Sequence, residues 1–375
     1  MLTADVVIVG AGMAGASAAY EIAAAVRVVL IERESMPGYH STGRSAALFT
    51  EAYGNRVVRA LTVASRAFYE APPAGFSDHP MLSPRGALWV GTDAQMATLK
   101  RQYHETHELV ASINWVDAHE ARRIVPALRE DYVAAGVYEP DAMDIDVNAL
   151  HQGYLRGLKA RGGRLITDAE LISLKHSGGI WRLDTKAGPI EAPIVVNAAG
   201  AWCDEVGRQA GAKPIGLVPK RRTAMIFDGP PATGFEHWPL VGDVGETWYV
   251  KPESGRLFGS PADETPVPPC DVQPEELDIA LAAHHIEAAT TLKVGRITRK
   301  WAGLRSFVAD KTLVAGFDDQ AEGFFWVAGQ GGYGIQTAPA MGALVAALVR
   351  RDGLPPHVAA RGLSEADLSP RRLRT

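Results

Sequence analysis

The chain has 375 residues, 47% hydrophobic and 22% charged, an ordinary globular composition with enough length for two domains with filled cores. A net charge of −5 and a pI near 6.1 argue against a nucleic-acid partner or an anionic membrane surface. Two widely separated cysteines, Cys203 and Cys270, form neither a disulfide framework nor a metal cluster, which points to a reducing cytoplasm.

The apolar run Val6-Val7-Ile8-Val9 leads into Gly10-Ala11-Gly12-Met13-Ala14-Gly15, then into helix-forming Ala16 to Ala25. A second strand, Val26 to Ile31, ends at Glu32. Strand, G-x-G-x-x-G, helix, strand and terminal acid in register predict a site for an adenine dinucleotide. Gly10 makes the turn, Gly12 admits the pyrophosphate to the backbone, Gly15 lets helix and strand approach, and Glu32 accepts from a ribose. Tyr20, Glu21 and Arg27 interrupt the apolar stretch at less than spanning length, and no basic segment precedes it. Neither an export signal nor a membrane span is therefore expected.

Beyond a Pro/Gly loop, Ser41 to Ala47 is rich in small residues and hydrogen-bond donors. A helix is expected over Asn55 to Glu70, stopped by Ala71-Pro72-Pro73. Strand-like Ala87 to Val90, a charged helix from Asp93 to Val110, a short helix from Glu120 and a strand over Val133 to Tyr138 read as an inserted second domain. Asp146 to Arg161 reads as a helix with Leu150, Tyr154 and Leu158 inward, and short strands follow it. Ile194 to Trp202 then repeats the opening grammar and is expected to rejoin the first sheet. Lys220 to Phe227, Thr247 to Val250 and Arg256 to Gly259 read as strands of the second domain, followed by a helix from Glu275 to Leu292. Leu313 to Gly316 and Phe324 to Gly329 are expected strands, and Gln330 to Gln336 leads into a helix from about Thr337 to Arg350. His284-His285 lacks a third ligand, and Asp141, Asp144 and Asp146 lack the glycine and glutamate of a calcium loop, so no metal is expected.

Three motifs resemble the FAD-dependent D-amino-acid oxidase/dehydrogenase superfamily. They are Gly10-x-Gly12-x-x-Gly15 with Glu32, Val196-Asn197-Ala198-Ala199-Gly200-Ala201-Trp202, and Gly329-Gln330-Gly331-Gly332-Tyr333-Gly334. Pro37 to Ala47, His151 to Gly157 and Trp301 to Phe307 are most similar to the bacterial D-arginine dehydrogenases within it. The resemblance implies an α/β fold: a Rossmann-like FAD-binding domain over 1–80, 146–218 and 301–375, and a discontinuous α+β substrate-binding domain over 81–145 and 219–300.

It also implies site roles. Arg305 and Arg222 hold a substrate carboxylate, Tyr53 and Tyr249 add phenols, and the Gly332 carbonyl receives the amine. Gly10, Gly12, Ala14, Gly15, Glu32 and Arg33 bind the cofactor. So do Ser41, Thr42, Gly43, Arg44, Ser45, Ala46, Ala47, Leu48, Leu171 and Gly200, then Gly331, Gly332, Tyr333, Gly334, Ile335 and Gln336. The implied activity is oxidative deamination of D-amino acids to 2-oxo acids and ammonia, with hydride passing from Cα to flavin N5. No cysteine lies near Arg305 to Gly316, where related enzymes carry covalent flavin, so FAD is expected to be non-covalent. Leu48 and Ala87 stand where the D-arginine enzymes have a histidine and a glutamate, which predicts a preference for apolar over cationic side chains. Glu51 and Glu246 are the acids nearest in sequence that could restore the missing charge. Three alternatives stay open: an N-methyl-amino-acid oxidase, a 2-hydroxy-acid oxidase, and a flavin-containing binding module without turnover. The electron acceptor is a quinone, a carrier or oxygen, and the inner membrane face remains open as a peripheral location.

Overall fold

The structure, a computed structural model, describes residues 1–231 and 234–374; Thr375, the last residue of the expected 301–375 segment, lies outside them. The opening run forms the strand Val6–Val9, buried at every residue. It lies within a six-stranded sheet ordered 164–166, 28–31, 6–9, 194–197, 324–328, 314–317. Every pairing is parallel except the last, where Val314–Phe317 runs antiparallel to Phe324–Ala328. The strand at Ile194–Asn197 does rejoin the first sheet, directly beside Val6–Val9.

Side chains alternate along a strand, so each face of this sheet builds its own core. Val6 and Ile8 pack with the helices Met13–Ile22 and Ala338–Arg350. Val7 and Val9 pack against a four-stranded sheet that includes Ile180–Thr185 and its buried Trp181. Burial on both faces is why these strands read as unbroken apolar runs.

The first helix starts at Met13, earlier than the Ala16 expected, with Gly12 as its N-cap. The early start puts Gly15 in the first turn, where a Cβ would come within 1.8 Å of the Gly10 carbonyl oxygen. The helix Arg56–Glu70 is capped by Asn55, whose side chain accepts from the Val58 N–H at 3.1 Å. Asp146 caps Val147–Ala160 in the same way, with Leu150, Tyr154 and Leu158 buried.

A larger sheet contains 114–117, 135–139, 87–91, 240–243, 249–253, 256–260, 218–227 and 265–266, and Ile297–Phe307 also pairs with Val218–Phe227. The helix Glu276–Ala289 covers its apolar face. The strand over 297–307 was not anticipated, because its Arg299, Lys300 and Arg305 break any regular alternation. The expected divisions at 218/219 and 300/301 fall inside these two paired strands, so neither is a break in the fold. Among the described residues no helix is long and apolar enough to cross a membrane. Nor does any group of three or more His, Cys, Asp or Glu among them assemble as a metal site.

Candidate active site

A cavity of ≈ 310 Å³ runs along the carboxyl ends of the parallel strands and past the paired strands of the larger sheet. Ligands of open parallel sheets lie at this edge, where loops leave the strands. At one end Gly10, Gly12 and Ala14 line it. A Cβ on Gly10 would strike the Ala198 carbonyl oxygen at 2.4 Å, and Gly10 has φ +100°. A Cβ on Gly12 would meet only the Thr42 hydroxyl, at 3.4 Å, so backbone is bared to the cavity there.

Glu32 is buried in the wall. Its Oε2 accepts from the Ala11 N–H at 2.9 Å and its Oε1 from the Glu34 N–H at 3.1 Å, which leaves lone pairs for a ligand. Arg33 lies over the Trp202 ring at 4.8 Å and bonds Glu170 at 2.9 Å. Leu171, Gly200, Ser41, Thr42, Ser45 and Ala46 line the same cavity. Arg44 lines it too, but its guanidinium is spent on the Tyr39, Val272 and Ala302 carbonyls and on Asp271. It clamps the loop rather than offering donors to a ligand.

At the other end the cavity meets a smaller chamber of ≈ 70 Å³. Arg222, Tyr249, Arg305, Gly332 and Ile335 line both. Strand register brings the arginines together: Arg305 pairs with Lys220 and Arg222 with Gly303 on antiparallel neighbours. The arginines are therefore diagonal on one face of the sheet. Arg305 donates from Nη1 to the Tyr53 hydroxyl at 3.2 Å. Burial opposes its charge, but Tyr53, Tyr249 and Glu246 outweigh that and raise its pKa. Burial also raises the Tyr53 phenol, against the pull of Arg305, so Tyr53 stays protonated and is no base near neutrality. Arg222 is 7% exposed. Its Nε donates to the Asp263 carbonyl at 2.9 Å, while its buried Nη2 has no hydrogen-bond partner among the described residues and stands 3.7 Å from Glu264 Oε1, a long ion pair.

Gly331 and Gly332 turn past these groups. A Cβ on Gly332 would stand 2.8 Å from Arg305 Nη1 and 3.2 Å from the Tyr53 hydroxyl. Three residues expected to touch cofactor line neither space: Gly15, Gly43 and Tyr333. Gly15 is a close-packing position, and the Gly43 N–H is bound to the Gly38 carbonyl. The buried Tyr333 ring packs 5.1 Å from that of Tyr53. Ala47, Leu48 and Gln336 face the small chamber rather than the larger cavity, whereas Gly331, Gly334 and Ile335 do line the latter.

Ala87, expected at the far end of the substrate pocket, is fully buried and lines neither space. Leu48 does line the chamber, with Trp89, Leu240, Ala262 and Thr50. Of the two acids near in sequence, Glu51 is buried against Arg66 at 2.9 Å, and Glu246 lines the chamber from an exposed turn. Sequence reasoning missed Trp89, Leu240, Thr50 and His40. His40 sits on the larger cavity with its Nε2 2.9 Å from Glu34 and its ring against Trp202. Of these four, only His40 had a sequence signal, its place in the Pro37 to Ala47 stretch.

Residues 5–348 match the model of the FAD dependent oxidoreductase family DAO. The chain belongs to that family. Rat mitochondrial dimethylglycine dehydrogenase is 27% identical over 90% of this chain, which spans only 42% of that protein's length. The hydrogen cyanide synthase subunit HcnC of Pseudomonas aeruginosa is 26% identical, with 96% of each chain covered. Among solved structures, L-proline dehydrogenase from P. horikoshii superimposes with a TM-score of 0.85 at 23% identity, covering 100% of this chain and 98% of the other. The fold is thus the α/β FAD-binding fold of this family with its substrate domain. The cavity fits FAD on its own geometry: bared backbone at Gly12 for a pyrophosphate, Glu32 for a ribose, and a glycine turn at Gly331-Gly332 for a ring edge.

Proposed function

We propose that this protein oxidises the Cα–N bond of D-amino acids, binding FAD non-covalently between the six-stranded sheet and the paired strands of the larger sheet. The observation that carries the reading is the Arg222–Arg305 pair. Two guanidiniums face one chamber: Arg305 has no carboxylate partner among the described residues, and the buried Nη2 of Arg222 lacks a hydrogen bond, its ion-pair partner Glu264 standing off at 3.7 Å outside the chamber lining. A buried donor left unpaired costs about 1–3 kcal/mol, so such a site is built for an anionic guest. An α-carboxylate supplies two oxygens for two forks.

Bound FAD supplies the two-electron acceptor for a hydride leaving Cα. The chain's residues do the rest: Arg222 and Arg305 fix the carboxylate, the Tyr53 and Tyr249 hydroxyls border it, and the Gly332 carbonyl orients the amine. The substrate ammonium sheds one proton to solvent, the neutral amine becomes a protonated imine (iminium) as the hydride leaves, and water hydrolyses that iminium to a 2-oxo acid and ammonium. Leu48, Trp89, Leu240 and Ala262 wall the chamber and favour apolar side chains over cationic ones.

The D configuration rests on the resemblance of the sequence motifs to those of bacterial D-arginine dehydrogenases. The names of the relatives support a second reading, oxidation of an N-methyl amino acid, since one of them is a dimethylglycine dehydrogenase. An Arg-held carboxylate suits both substrates. Neither cysteine lines the cavity, which supports a non-covalent flavin. The test is turnover of D-amino acids, L-amino acids, sarcosine, dimethylglycine and lactate, with an artificial acceptor and with oxygen. Preference for a D-amino acid supports the proposal; preference for sarcosine or dimethylglycine supports the second reading; no turnover leaves a binding module.

A further inference from the structure

Glu139 ends the strand Ala135–Glu139 and is 1% exposed. Its carboxylate lies behind the lining of the small chamber and meets it only through Thr50. Oε2 accepts from the Thr50 hydroxyl at 2.5 Å and Oε1 from the Glu51 N–H at 2.8 Å. Thr50 lines the chamber, and the segment it belongs to also carries Leu48 and Tyr53 into it. The Gln336 amide holds the Thr50 carbonyl at 3.3 Å from the opposite side.

We infer that Glu139 is a positioning residue of the substrate chamber, which fixes the Leu48–Tyr53 segment and sets which way the Thr50 hydroxyl faces. This rests on the amino-acid-oxidising reading given above. With Glu139 ionised, the Thr50 O–H points back to it, and the Thr50 oxygen presents lone pairs to the chamber as an acceptor for a substrate N–H. With Glu139 protonated, its own O–H donates to Thr50, whose hydrogen is released toward the chamber. The wall then turns from acceptor to donor. One proton on one carboxyl thus changes what the chamber recognises.

Both states are reachable near neutrality. Burial pushes the Glu139 carboxyl up to about 7, against the hydrogen bonds from Thr50, Glu51 and Ala52, and the charge of Glu51 adds to the rise. Glu51 is itself paired with Arg66 at 2.9 Å. The strands beside Glu139 present Ala87 and Val137 on the same face, neither titratable. The charged groups of Arg222, Arg305 and Glu246 stand on the chamber lining beyond Thr50.

The test uses the FAD-loaded full chain. For the best amino-acid substrate, kcat/KM should rise about tenfold from pH 6 to pH 8, as one ionisation near 7 requires. Glu139→Gln and Thr50→Val should each flatten that span without loss of flavin, and Thr50→Ser should restore it. A variant profile that superimposes on the parent's, or a parent with no ionisation in that span, overturns the inference. A second readout needs no turnover. In protein carrying ¹³C-labelled glutamate, the carboxyl resonance missing from Glu139→Gln should titrate near pH 7. Thr50→Val should move that titration upward by removing a bond to the charged form. An unmoved titration overturns the inference even if no amino acid is oxidised, whereas a moved one without turnover counts against the proposed reaction alone.

Discussion

Arg222 lies one diagonal step from Arg305 across two antiparallel strands, because Arg305 pairs with Lys220 and Arg222 with Gly303. Residues so related share a face. Two cations on one face repel unless an anion joins them; Arg222 Nη2 has only a long ion pair, 3.7 Å to Glu264 Oε1 outside the chamber lining, and Arg305 has no ion pair to a carboxylate among the described residues.

Removing either fork should therefore damage substrate handling and spare the cofactor. Arg305→Ala is expected to retain FAD and lose roughly 10²-fold or more in kcat/KM, since breaking a buried charge pair costs about 2–5 kcal/mol. Flavin absorbance and steady-state kinetics on one preparation check this. Near-parental turnover would mean that the carboxylate is held elsewhere.

Gly332→Ala tests the same geometry from the other side. Its Cβ would meet Arg305 Nη1 at 2.8 Å, and the guanidinium, as the end of a flexible side chain, is the group that yields. Stability should change little. A displacement of even 1 Å at a positioning group costs on the order of 10²-fold in rate, so kcat/KM should fall on that scale.

Glu139 also marks stability. Its folded pKa, about 7, lies above its ordinary 4.5. Stability from the neutral form is complete below 4.5, declines as pH rises, and is gone above 7. Between pH 5 and pH 8 this withdraws up to about 3 kcal/mol. Denaturant unfolding of Glu139→Gln should show no such decline relative to the parent protein. Parallel pH dependences in the two proteins would contradict the assignment.

Side-chain preference turns on the chamber wall. D-Leu or D-Met should exceed D-Arg and D-Lys in kcat/KM, because Leu48, Trp89 and Leu240 offer no counter-charge and an unpaired buried cation is costly. Glu246, on its exposed turn, is the acid placed to soften this, so Glu246→Gln should lower D-Arg activity more than D-Leu activity. Ala87→Glu is not a clean route to D-Arg. Position 87 is cross-strand from Glu139, and two neighbouring carboxyls would raise one another's pKa.

Much of this was legible in sequence. The glycine fingerprint with Glu32, the return of Ile194–Asn197 to the first sheet and the helix faces follow from local pattern, because alternation and capping are local physics. Arg222 and Arg305, the proposed carboxylate anchors, follow from the resemblance of motifs. What joins them is a register between strands some 80 residues apart, which no single-chain pattern encodes. Thr50, Glu139 and Glu246 converge from three separate segments, so their meeting is a property of topology. Ala87 was misplaced for the same reason: it is adjacent to the chamber in sequence terms but buried beneath its wall. Tyr333 reads as a ligand contact, and Gly15 as both a packing position and a contact, because packing positions and contact positions alternate within the same motifs.

Oxidation of a D-amino acid by the bound flavin is read by mixing the oxidised, FAD-loaded protein with D-leucine under anaerobic conditions and following flavin absorbance. D-leucine should bleach the flavin, with no comparable bleaching by L-leucine, sarcosine or lactate, and Arg305→Ala should lose the response. Bleaching by sarcosine or lactate in preference to every D-amino acid, or a flavin that no carboxylate-bearing substrate reduces, would contradict this reading.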